Sequence, residues 1–121
     1  MQNVLSHYIL NIDKLYEISY NTLVSIEVIK TDLFDKWLAK LKNGEARSKV
    51  TDHIYRMMNG NLGNTKSVGN GIFEKKINYA GGYRLYYFFK LENQIILLCG
   101  GDKSTQQKDI DKAKQIKKGL G

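Results

Sequence analysis

Glu74, Lys76, Arg84 and Tyr86 stand at alternate positions on either side of Ala80-Gly81-Gly82. Side chains of a strand point to opposite faces in turn, so two extended segments joined by a turn sort their residues by parity. With those three residues as the loop, Tyr79 opposes Tyr83, Asn78 opposes Arg84, Ile77 opposes Leu85 and Lys76 opposes Tyr86. One face then gathers Phe73, Ile77, Tyr79, Tyr83, Leu85, Tyr87 and Phe89. The other gathers Glu74, Lys76, Asn78, Arg84 and Tyr86. A two-residue loop would mix the two sets. This polar face has the parts needed to break an RNA strand without a metal. A 2′-hydroxyl attacking its own phosphate needs a proton acceptor, cations for the developing charge and a proton donor to the leaving oxygen. Arg84 can grip a phosphate through two donors, and Lys76 and Lys103 add positive charge. Lys76, its proton affinity lowered by neighbouring cations, or Glu74 can act as base. Tyr86 can stack on a nucleotide or donate a proton. The competing reading of the same residues is a solvated face held by pairing among Glu74, Lys76 and Arg84.

A second segment, Gly100-Gly101-Asp102-Lys103-Ser104-Thr105-Gln106, joins an apolar run to the last helix. Two glycines followed by hydroxyls at a helix start can present backbone N–H groups to phosphate, or can be no more than a turn and an N-cap. The spacing is not that of a nucleotide-binding P-loop. Neither His7 nor His53 has a partner at ligand spacing, so no metal is expected. Cys99 is the only cysteine and lies among apolar residues, which excludes an internal disulfide and suits a buried small hydrophobe.

The elements that must position these residues are legible in the apolar spacing. Ser25 to Lys30 alternates as a short strand. Asp32 can cap a helix whose stripe is Phe34, Trp37, Leu38 and Leu41, ended by Asn43-Gly44. Glu45 to Asn59 reads as a second helix, antiparallel to the first, burying Val50, Ile54 and Met57 or Met58. Residues 60–71 read as a loop rich in glycine and asparagine. Strands are expected at Ile72 to Tyr79, Tyr83 to Lys90 and Gln94 to Gly100, the last continuously apolar as an interior strand would be. Ser104 or Thr105 then caps a helix through Lys118, with acids early and lysines late, as the helix dipole prefers. The order β-α-α-β-β-β-α with short links implies an α+β fold, an antiparallel sheet covered by helices.

Residues 1–23 differ from the rest. Val4, Leu5, Tyr8, Ile9, Ile12, Leu15 and Tyr16 fall at helical spacing, and the expectation is an accessory segment that the domain at 24–121 does not need. It reads either as an extra packed helix or as sequence upstream of the true start. The whole chain, 121 residues, carries a net charge of +7, which favours polyanionic partners. No run is long enough to cross a bilayer and no secretion signal is evident, so a cytoplasmic location is expected.

Phe34-Asp-Lys-Trp37-Leu38, Gly60-Asn61-Leu62-Gly63, Gly81-Gly82-Tyr83-Arg84-Leu85-Tyr86 and Gly100-Gly101-Asp102-Lys103-Ser104-Thr105-Gln106 with Asp109-Ile110 resemble the HigB-like killer proteins of the RelE/ParE toxin superfamily. Four blocks in order are more specific than any one. The resemblance covers about Val24 to the C-terminus and implies a compact RelE-like sheet covered by two N-terminal helices and a C-terminal helix. It implies an endoribonuclease toxin that cuts mRNA at the ribosome without a cofactor. A helix-turn-helix antitoxin would neutralise it and alone link it to operator DNA, with no membrane partner. By position it assigns phosphate binding and activation to Lys76, Arg84 and Lys103, and leaves Gln106 or Asp109 near the place of the general acid. Two departures stand out: this chain has Glu74-Lys75-Lys76-Ile77 for the usual Glu-Leu-Arg-Ile, and Ala80-Gly81-Gly82 for Gly-Pro-Gly. A lysine cannot reproduce arginine's bidentate grip. Two other readings stay open: a ParE-like topoisomerase inhibitor without nuclease activity, and a module that only binds RNA or protein.

Overall fold

The computed structural model describes residues 25–121; the expected N-terminal segment lies outside the described residues. The elements run in the order β1 (Glu27–Lys30), α1 (Asp32–Lys40), α2 (Gly44–Met58), β2 (Thr65–Gly69), β3 (Ile72–Ile77), β4 (Tyr83–Leu91), β5 (Gln94–Asp102), a 3-10 turn (Lys103–Thr105) and α3 (Gln106–Gly119). They form one five-stranded sheet in the order β1-β5-β4-β3-β2. All neighbouring pairs are antiparallel except β1 and β5, which are parallel. The fold is α+β, with helices on both faces.

Parity explains the two layers. Odd-numbered residues of β3 and β4 (Ile77, Leu85 and Tyr87) join Ile95 and Leu97 of β5 against Phe34 of α1 and Val50, Ile54 and Met57 of α2. Even-numbered residues (Ile72 and Tyr86) join Ile96, Leu98 and Cys99 under Ala113 of α3. Cys99 is buried and donates weakly to the Asp109 carbonyl. Burial pushes its thiol up to about 12, which leaves it protonated and inert.

The helices start differently from the expectation. Thr31, not Asp32, caps α1: its hydroxyl accepts from the Phe34 amide and donates to the Leu98 carbonyl, pinning the helix to β5. Asn43 does not end α1 but caps α2, accepting from the amides of Glu45 and Ala46, so Gly44 is the first residue of that helix. At the other end of the chain, Asp102 holds the 3-10 turn through the Ser104 amide, and Thr105 makes no side-chain cap.

The segment read as a loop over residues 60–71 contains β2. Asn70-Gly71 forms a two-residue hairpin turn, both residues at positive φ. That dipeptide is the favoured connection of a tight hairpin, but a strand as polar as Thr65-Lys66-Ser67 has no apolar period to mark it. The pairing of β3 with β4 also differs from the expectation, by two residues. Lys76 pairs with Arg84, Ile77 with Tyr83 and Glu74 with Tyr86, so the connection is 78–82. Within it the Gly82 amide donates to the Tyr79 carbonyl and Ala80 takes positive φ. A slip of two keeps parity, so the face assignment survives.

Lys75 falls on the apolar face, 1% exposed. Its ammonium donates to the Leu62 carbonyl at 2.8 Å and lies where a Cβ on Gly63 would be, so it fastens the Gly60-Asn61-Leu62-Gly63 loop to the sheet. Burial, followed by the charge of Arg56, lowers its pKa. The native state therefore holds its proton less tightly than the unfolded chain. The resulting cost to stability is greatest below the native pKa and disappears as pH rises to the unfolded value. Wild type minus Lys75→Met stability, measured by thermal denaturation, is expected to become more favourable to wild type from pH 7 to pH 10. A flat difference would mean that the buried amine carries no such cost.

Candidate active site

The polar parity set sits under the start of α3. Glu74 is 3% exposed, Arg84 5% and Tyr86 fully buried. This differs from the solvent-facing surface that the sequence suggested, and the cause is α3 itself, which lies across that face. The Glu74 carboxylate is fully engaged. Its Oε2 accepts from the Tyr86 hydroxyl at 2.9 Å and from Gln106 Nε2 at 2.8 Å. Arg84 Nε stands 3.7 Å from the same oxygen, and Lys66 Nζ is 3.7 Å from Oε1.

Arg84 is the unusual member. Its Nε and Nη1 are buried and make no hydrogen bond, although nearly all buried polar groups find partners. The guanidinium is held by charge from Glu74 on one side. On the other, Nη1 comes within 3.4 Å of a Cβ built on Gly82, and Lys76 Cε within 3.7 Å of the same point. Gly82, at φ +103, therefore stands against both basic side chains with no Cβ to crowd them. A cleft of about 400 Å³ begins there, walled by Ala80, Gly81, Gly82 and Tyr83 on one side and by Asp102, Lys103 and Ser104 on the other. Lys103 lines it and is exposed; Lys76 is exposed too and touches the cleft only through Gly82, its Cε 3.7 Å from the Cβ position of that wall residue. Asp102 also lies there, its carboxyl held below the usual range by the Ser104 hydroxyl and amide.

The remaining candidates divide. Gln106 is spent on Glu74. Asp109 is 6% exposed and accepts from the Thr105 hydroxyl at 2.6 Å. Tyr86 has no free ring face for a nucleotide, and burial followed by its bond to Glu74 raises its pKa far above the ordinary phenol value. Asn78 is exposed in the connection after β3, outside the ladder with Arg84 that the expected register gave it. Gly100 and Gly101 do not form a phosphate loop; they are ladder residues of β5, paired with Leu85 and Arg84. Their lack of a side chain has a packing reason on each face. A Cβ on Gly100 would enter the Trp37 ring, and one on Gly101 would collide with the Asp109 carboxylate. The residue that the sequence reading passed over is Lys66. It reaches Glu74 because β2 pairs Lys66 with Glu74, and the hairpin signal at Asn70-Gly71 could have found it.

Among the described residues no three His, Cys, Asp or Glu side chains form a group able to hold a metal, and no helix is long and apolar enough to cross a membrane. The site is one of cations around a buried carboxylate.

Residues 36–118 match the family of phage-derived Gp49-like proteins (DUF891). An uncharacterized protein of Haemophilus influenzae is 49% identical over 102 residues, covering 81% of this chain and 99% of that protein. Two solved structures share the fold at low identity. The Escherichia coli toxin RelE, as a double arginine-to-alanine mutant in the free state, superposes with a TM-score of 0.60 at 16% identity, over 76% of this chain and 98% of that one. A RelBE toxin–antitoxin complex of Mycobacterium tuberculosis gives 0.55 at 19% identity, over 65% of this chain and 99% of the matched one.

Proposed function

The chain belongs to the phage-derived Gp49-like family and carries a RelE-type toxin fold, and from that premise we propose that it is a HigB-like toxin that cleaves mRNA without a metal. The observation that carries the reading is Arg84: a buried guanidinium whose Nε and Nη1 are unsatisfied, set against Gly82 in the wall of a cleft that Lys103 lines, with Lys76 against the same glycine. Such a group is matched by a phosphate, whose oxygens would complete its hydrogen bonds. In this reading Arg84 and Lys103 stabilise the charge that develops on the scissile phosphate. Lys76, against the same glycine as Arg84, would take the proton of the attacking 2′-hydroxyl as its neutral amine, while the bond to the 5′-oxygen breaks and water protonates that leaving oxygen. Glu74 is a positioning residue. Its carboxylate is occupied by Tyr86, Gln106 and Arg84, and it fixes the guanidinium rather than meeting RNA. The E. coli relative is called a toxin and the M. tuberculosis relative was solved in complex with its antitoxin. By that analogy the partner here is an antitoxin of the helix-turn-helix type, and the place of action is the cytoplasm, on mRNA at the ribosome.

The test is induced expression followed by primer extension on cellular mRNA. New 5′ ends within minutes of growth arrest are expected, with both suppressed by co-expressed antitoxin. Growth arrest without new ends would overturn the nuclease reading and favour a toxin that acts on a topoisomerase.

A further inference from the structure

Beyond the cleft, cationic side chains continue along one edge of the molecule. Lys66 projects from β2 beside Glu74 and is two-thirds exposed. Farther along, α3 sends two lysines over the β2–β3 hairpin. Lys114 Nζ lies 3.6 Å from the Cβ position of Gly69, and Lys117 Nζ 3.8 Å from that of Gly71. Lys117 also sits 5.1 Å above the Phe88 ring. The two glycines, both at positive φ, leave the room that these ammonium groups occupy. Among the described residues neither lysine of α3 has a carboxylate within ion-pair distance. Asp111, one turn earlier on the helix, accepts a hydrogen bond from Gln107.

Register orders the set. Lys76 pairs with Arg84 at the cleft, Lys66 stands opposite Glu74, Gly69 opposes Ile72, and Gly71 follows in the turn. At about 3.3 Å per residue the run from residue 76 to residue 72 is roughly 13 Å long, so one phosphate cannot engage all four ammonium groups. We infer that Lys66, Lys114 and Lys117 form a track that binds the backbone of single-stranded RNA flanking the scissile phosphate. This rests on the RNA-cleaving reading and adds a subsite to it. The three ammonium groups act on the charge of the phosphates, so their contribution is to affinity and salt dependence rather than to sequence choice.

The experiment uses fluorescence anisotropy with a labelled 2′-O-methyl RNA of about 12 nucleotides, which cannot be cleaved, over a range of salt concentrations. The track variant is Lys66→Gln/Lys114→Gln/Lys117→Gln. The control is Lys36→Gln/Lys40→Gln/Lys42→Gln, which removes the same charge from α1 and its end. Each phosphate contact on a single strand contributes about 0.7 to the salt slope, so the track variant should lose about 2 from it and on the order of tenfold in affinity at low salt. The control should stay within about twofold of wild type. Equal losses in both variants would reduce the effect to net charge and overturn the track, and unchanged affinity in the track variant would overturn it as well. Failure of wild type to bind the oligonucleotide at all would instead remove the RNA reading on which the track rests.

Discussion

Arg84→Ala is expected to lower the rate of RNA cleavage by about 10²- to 10³-fold, the usual effect of removing one preorganised donor to developing charge. The same substitution removes a partner of a carboxylate that is 3% exposed. Breaking a buried pair from one side costs about 3–5 kcal/mol, although Tyr86, Gln106 and Lys66 still hold Glu74. Loss of activity alone could therefore reflect loss of fold. Lys103→Ala separates the two effects, because Lys103 is exposed in the 3-10 turn and no described residue forms an ion pair with it. It should keep the circular dichroism and melting temperature of wild type while lowering the cleavage rate by roughly tenfold or more. Full activity in both variants, with the fold intact, would show that the cleft is not where RNA is cut.

A substitution at Gly100 should lower stability without touching the cleft. A methyl group there would enter the ring of Trp37, and the ring has little freedom to move. It packs 5.5 Å from the Phe34 ring and 6.4 Å from that of Tyr83. Overpacking of this kind costs about 1–3 kcal/mol, a large part of the roughly 5–15 kcal/mol that holds a domain together. Gly100→Ala is thus expected to lower the urea midpoint by about 1 M, taking mid-range values of that cost and of a slope of about 1–3 kcal/mol per molar. Trimming the obstruction should recover part of the loss, so Gly100→Ala/Trp37→Leu should be more stable than the sum of the two single variants predicts. Strict additivity would mean that the ring and the glycine do not share the space. Gly101→Ala meets a different obstacle, the Asp109 carboxylate that accepts from Thr105, and no change at Trp37 should rescue it.

These glycines show how far a sequence can be read. Gly100-Gly101 resembles a phosphate-binding turn because two glycines before hydroxyls can serve either purpose. Only the approach of α1 on one face and α3 on the other shows that both are ladder residues. Lys66 went unseen for a similar reason. Thr65 to Gly69 carries no apolar period, and its strand exists because β3 offers an edge and Asn70-Gly71 closes the turn.

The polar parity set met at the start was determined by the sequence alone. Alternation of side chains is local geometry, so Glu74 and Lys76 share one face of their strand and Arg84 and Tyr86 one face of theirs. The three-residue spacing brings the two pairs together, and a slip of two residues keeps parity and left that conclusion intact. The apolar spacing likewise determined that helices cover a sheet containing these strands. Which members of the set stay open was decided only by the tertiary structure. The helix that buries Tyr86 and Glu74 and leaves Lys76 and Lys103 exposed arrives from the other end of the domain. Its position depends on long-range packing against Cys99, Tyr86 and Ile96. Parity can place a residue on a face, but exposure depends on what crosses that face, and no local pattern records it.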